Sequence, residues 1–251
     1  MKMKNVLILI AAGSLLLLTA CASSPKGKGR DFSRRAPLGL VMVVSNQDIG
    51  WLGEKNLQDK NTPGGVVRNI LGLKKDDEKV RYSTADELVN EADSILRKLI
   101  TEAEVFRLED KDRVIGSINS AAAKSKSAKM PADKITADGY RYLNYRDKQF
   151  AANFSAETGV KSLLYVTFDF SKEMVSGFMK NGKLRSRVLM EAIVVDASGK
   201  FLFRDEFEAF SSEKIEATDG AYSENELMDI LKEAIGEVCY RFVMSFRGVT
   251  I

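Results

Sequence analysis

Between Ser162 and Phe210 the hydrophobic period changes to two, and that change limits the folds open to the chain. Ser162 to Phe170 alternates and is rich in Leu, Tyr, Val and Phe, and Leu184 to Val195 and Lys200 to Phe210 read as two further strands. Lys180-Asn181-Gly182-Lys183 separates the first two, and Asn-Gly tolerates the positive φ angles of a type I′ hairpin. Asp196-Ala197-Ser198-Gly199 forms the next turn. This spacing predicts an antiparallel three-strand meander. In its last strand Phe201, Phe203, Phe207 and Ala209 share one face, with Asp205 interrupting. Leu202, Arg204, Glu206 and Glu208 share the other, so one face is covered and one is wet.

The upstream chain has different periods. Leu38 to Val44 is a short continuous apolar run behind Pro37, the mark of a buried central strand. Ser83 or Thr84 then caps a helix whose apolar positions Leu88, Val89, Ala92, Ile95, Leu96 and Leu99 form one stripe. Glu104 to Leu108 reads as a second strand, and Asp110 to Ala123 as a helix with Val114, Ile115 and Ile118 inward. Pro131 starts a further helix reaching Thr158 with interruptions, with Tyr140, Leu143, Phe150 and Phe154 toward the core. Ser223 caps a last helix, with Glu226 three residues on and Leu227, Ile230, Leu231, Ala234, Ile235, Val238 and Phe242 as its stripe. The expected class is α/β (α+β). It has a mixed sheet of about five strands with helices packed on it, and a C-terminal three-strand meander followed by a final helix. Residues 37–251 suffice for one substantial core.

The absence of histidine from the sequence excludes Ser-His-Asp and Cys-His catalysis and every histidine-based metal site. There is no CxxC and no Gly-rich phosphate loop, and no catalytic residue, metal site or cofactor is expected. Of the two cysteines, Cys239 lies in an apolar helical run and reads as a small core residue.

The N-terminus is expected to be processed. Lys2 and Lys4 precede an apolar stretch from Val6 to Leu18 that is short for a membrane span, and Leu18-Thr19-Ala20-Cys21 follows. This motif resembles the lipobox of bacterial lipoprotein precursors. The resemblance implies a signal peptide over 1–20, lipid attachment at Cys21, and a palmitate-type acyl anchor in the bilayer. Each buried CH₂ of such an anchor contributes about 0.8 kcal/mol, and two or more chains hold firmly. Residues 21–36 then read as a basic tether with Lys26, Lys28, Arg30, Arg34 and Arg35 against Asp31, which leaves the body mildly acidic. A nucleic-acid partner is not expected of such a body.

Further stretches carry a second resemblance. They are Leu40-Val41-Met42-Val43-Val44, the helix from Ala85 to Ala103 with Val105-Phe106-Arg107-Leu108 behind it, Thr158-Gly159-Val160 before the Ser162 strand, and Val194-Val195-Asp196-Ala197-Ser198-Gly199. Their order is similar to the periplasmic α/β domain of curli-secretion-type lipoproteins, penicillin-binding-protein-activator lipoproteins and the TolB N-terminal type. A narrower resemblance is to treponemal outer-membrane lipoproteins that dip amphipathic helices into the bilayer. Together they imply a non-enzymatic, lipid-anchored protein of the outer membrane with its body in the periplasm.

Two segments are candidates for membrane contact. The first holds the only tryptophan, Trp51, with Leu52, and continues into a short helix with Val66, Val67, Ile70, Leu71 and Leu73 before two lysines. Tryptophan at head-group level and snorkelling lysines suit an interfacial segment. The same pattern also fits a helix that covers one end of the sheet. The second is the hairpin tip, with Met174, Val175, Phe178 and Met179 near Lys180 and Lys183; strand-to-helix packing is its alternative. The expected function is bilayer contact through these segments. The alternative is a periplasmic interaction module that docks or activates an envelope complex.

Overall fold

The computed structural model describes residues 37–52, 82–125, 128–178, 181–218 and 221–246. Its elements are β1 (Leu38–Asn46), β2 (Gly50–Trp51), α1 (Tyr82–Ala103), α2 (Lys111–Ala123), β3 (Lys134–Thr136), α3 (Lys148–Thr158), β4 (Ser162–Phe178), β5 (Asn181–Asp196), β6 (Phe201–Phe210), β7 (Ile215–Ala217) and α4 (Glu224–Phe246). They form an α/β fold on one mixed sheet in the order β3-β1-β4-β5-β6, with β2 also paired to β4 and β7 to β5.

β1 runs parallel to β4, and β4, β5 and β6 form the expected antiparallel meander. Every residue of β1 is buried, which is why its sequence is a continuous apolar run. In β5 the face carrying Val188, Met190 and Ala192 is buried, whereas Arg187, Leu189 and Glu191 between them are only half-buried. α4 lies over the buried face. Its Phe242 meets Phe207 edge-to-face at 5.6 Å, and the Ser186 hydroxyl donates to the Ile230 carbonyl at 2.7 Å. α3 lies on the opposite face, where Phe154 and Val160 pack over Gly39.

Ser83 and Thr84, expected to cap α1, stand inside it, because α1 already begins at Tyr82, whereas the three later helices have side-chain caps. Asp110 accepts from the Arg113 amide at 3.1 Å, Asp147 from the Phe150 amide at 3.0 Å and Ser223 from the Glu226 amide at 3.3 Å, each satisfying an amide that the helix leaves open.

Four further expectations are corrected. Glu104 to Leu108 is not a strand; only Leu108 bridges to Leu38, and the Leu38 amide donates to the Arg107 carbonyl at 2.8 Å. Residues 131–158 are not one interrupted helix. β3, rich in β-branched residues, pairs antiparallel with β1, irregular chain follows, and only α3 is helical. Tyr140 and Leu143 are buried as expected, but from irregular chain. Among the described residues the sheet has seven strands rather than about five, because the short β2, β3 and β7 are not legible in the pattern.

The fourth correction is the hairpin. Phe178 pairs with Asn181 and Gly177 with Gly182, so Asn181 and Gly182 stand in the strand and not at the turn. Gly177 has φ +118°, and a Cβ there would lie 2.0 Å from the Asn181 carbonyl oxygen. One on Gly182 would lie 1.9 Å from the Ser176 oxygen. The two strands therefore approach closely through a pair of opposed glycines.

Candidate functional site

β4 outlasts β1. β1 pairs with β4 as far as Phe168, and β2 resumes on the same edge at Ser171 and Lys172. Asn46 bridges the gap: its side-chain amide donates to the Phe170 carbonyl at 2.8 Å and its oxygen accepts from the Phe170 amide at 2.7 Å. The chain thereby keeps its place along β4 where no strand residue is available, and buried Ile49 pins the connection.

This places Trp51 opposite Lys172, and the Leu52 amide donates to the Lys172 carbonyl at 2.8 Å. Trp51 belongs to a paired strand, not to the loop expected from its surroundings. Lys172 is fully buried, on the strand face shared with Phe168 and Phe170. Its ammonium hydrogen-bonds the Tyr222 hydroxyl and sits 5.1 Å from the Trp51 ring centroid and 4.5 Å from that of Tyr222. Two aromatic faces around a desolvated ammonium are a favourable electrostatic arrangement.

Met174 and Val175 follow on the same strand, so Trp51, Leu52, Met174 and Val175 gather at one end of the sheet. Leu52 is 39% exposed, and Trp51 and Met174 are half-buried against the core. The flanking charges are paired: Arg185 with Glu173, and Lys183 with Glu216 at 3.3 Å. Cys21, Val66, Val67, Ile70, Leu71, Leu73 and Met179 lie outside the described residues, as does the Phe178 side chain. No helix among the described residues is long and apolar enough to cross a membrane.

A second polar cluster lies between α1, α2 and the chain after β3. Asp93 accepts from Arg97 at 3.0 Å, Lys111 at 2.6 Å and the Tyr140 hydroxyl at 3.0 Å. Burial, with the Asp93 charge behind it, raises the Tyr140 pKa and keeps the hydroxyl protonated. Burial works against the Arg97 charge, but the Tyr140 oxygen and the Asp93 carboxylate more than offset it and its pKa rises. Every group here holds a structural partner, so the cluster ties helix to helix. No group of three or more acidic or thiol side chains suited to a metal occurs among the described residues.

Asn46, Lys172 and Asp93 were not singled out from the sequence, although period two places Lys172 inward and helical spacing puts Asp93 on the stripe of Val89 and Leu96. No protein-family model matches the chain, and no curated protein does.

Proposed function

We propose that this chain is a lipid-anchored envelope protein of the outer membrane, acylated at Cys21 and without enzymatic activity, whose sheet makes a second contact with the bilayer through its hairpin end. One observation carries the contact surface: Trp51 and Leu52 are distant in sequence from Met174 and Val175, yet they share one end of the sheet. The N-terminal pattern and the resemblance to envelope lipoproteins support the anchor.

A second reading, docking of an envelope partner, is favoured by where the chain enters the sheet. Leu38 pairs with Ser162, at the opposite end of β4 from Phe178. At about 3.3 Å per residue those ends are about 50 Å apart. Random coil of about 15 residues, the number between Cys21 and Leu38, spans only roughly 20 Å. Bilayer contact therefore requires the sheet to lie along the membrane. A body standing upright would present the hairpin end to the periplasm.

Metabolic labelling with palmitate, combined with photo-crosslinking from position 52, tests both statements. The expected result is label that is lost in Cys21→Ser, and crosslinks to phospholipid. Crosslinks to one protein species would replace the bilayer by a partner. No label at Cys21 would overturn the anchor.

A further inference from the structure

The sheet face opposite α4 carries a cleft that the proposed function does not use. Met42, Tyr165 and Ile193 stand side by side across β1, β4 and β5 and form its floor. The irregular chain before α3 forms its wall, including Leu143 and Arg146, and Lys134 of β3 closes one side. The volume is about 530 Å³, within the range of small-molecule sites.

Three features point to a ligand. Tyr165 is 1% exposed, lines the cleft, and its buried hydroxyl meets no hydrogen-bond partner. Buried hydroxyls are seldom left so. Burial, with the Asp147 charge behind it, raises the Tyr165 pKa, so the group is a donor in want of an acceptor. Lys134 and Arg146 enter no ion pair, and Arg146 only flanks the Tyr145 ring at 5.5 Å. The nearby acids are occupied: Glu191 is held by Arg204 at 2.7 Å, and Asp147 caps α3. The cleft thus combines an apolar floor, an unused donor and two cations outside any ion pair.

We propose that this cleft binds a small amphiphilic organic anion. Its apolar body lies on Met42, Leu143 and Ile193, an oxygen accepts from Tyr165, and its charge sits by Lys134 and Arg146. An acyl chain and an aromatic ring share this chemistry, and the probes separate them.

Equilibrium dialysis of the full chain in nanodiscs, with empty nanodiscs as blank, would use octanoate, 2-naphthoate and inorganic phosphate. The expected result is saturable binding of octanoate or 2-naphthoate with Kd below about 1 mM, and none of phosphate. Octanoate alone identifies a chain, and 2-naphthoate alone a ring. Tyr165→Phe and the double variant K134A/R146A should each weaken binding at least about tenfold with unchanged circular dichroism. The proposal is overturned if neither organic anion saturates, if phosphate binds as well as they do, or if the folded variants bind like the parent.

Discussion

Trp51 lies opposite Lys172 in parallel register, and the buried Lys172 ammonium is 5.1 Å from the centre of the indole ring. The contact fastens a two-residue strand to the far half of β4. It makes the sole tryptophan a reporter of the hairpin end. Tyr222, just before α4, closes the ammonium from another side, so strand, hairpin and final helix meet at one cation.

Lys172 carries a fully buried charge. Replacing a buried charge by an apolar group of similar shape is often neutral or stabilising. Lys172→Met should therefore change stability by less than about 1 kcal/mol. Lys172→Ala leaves a cavity and should lose about 3 kcal/mol. Both should alter Trp51 emission. Urea titration followed by fluorescence checks both statements.

The Asp93 cluster has the opposite sign. Its side chain is 2% exposed, against 17% for Arg97 and 36% for Lys111. Breaking a fully buried pair costs about 3–5 kcal/mol, and partial exposure of the cations reduces this. Asp93→Asn should lose about 2–3 kcal/mol, and Tyr140→Phe about 1 kcal/mol. The denaturation midpoint reports both, with an unchanged m-value.

Stability should fall in alkali. Burial raises the pKa values of the Cys239 thiol and the Tyr140 and Tyr165 hydroxyls. Below about pH 7.5 these groups are neutral in both folded and unfolded chains and contribute no pH dependence. Above it the unfolded chain loses protons first, so the stability present at lower pH is lost as pH rises. The midpoint should drop between pH 8 and pH 10.5, and less steeply in Cys239→Ala. Tyr165→Phe removes an unpartnered buried hydroxyl and should be neutral or stabilising by about 1 kcal/mol at pH 7.

The opposed glycines of the hairpin should be intolerant. Gly177→Ala brings a Cβ against the Asn181 carbonyl at a φ that side chains rarely adopt. A loss of about 1–3 kcal/mol and earlier proteolytic nicking of the hairpin are expected, with limited proteolysis as the measurement.

Much of this architecture was legible because long elements repeat their period. The stripe of α1, the stripe of α4 and the alternation of β5 each repeat often enough to declare a buried face. Short elements do not. Lys134–Thr136 is strand only because β1 offers it an edge, and Glu104 to Leu108 fails to be one because it bonds β1 only at Leu38. The pattern makes Tyr140 and Leu143 both core and helical, and only the first holds, since hydrophobicity reports burial before it reports backbone. Trp51 and Met174 were legible as apolar residues beside lysines. Their convergence was not, because it depends on Asn46 carrying β1 into β2 along β4, a contact between residues far apart in the chain.

Trp51 gives the most direct test of the proposed contact between the hairpin end and the bilayer. The full chain would be reconstituted into vesicles of phospholipid brominated on the acyl chain, where bromine quenches indole on contact. The expected result is quenching of Trp51 in the parent and its loss in Leu52→Asp and Val175→Asp variants that remain folded and anchored. Unquenched emission from parent protein that floats with the vesicles would contradict it.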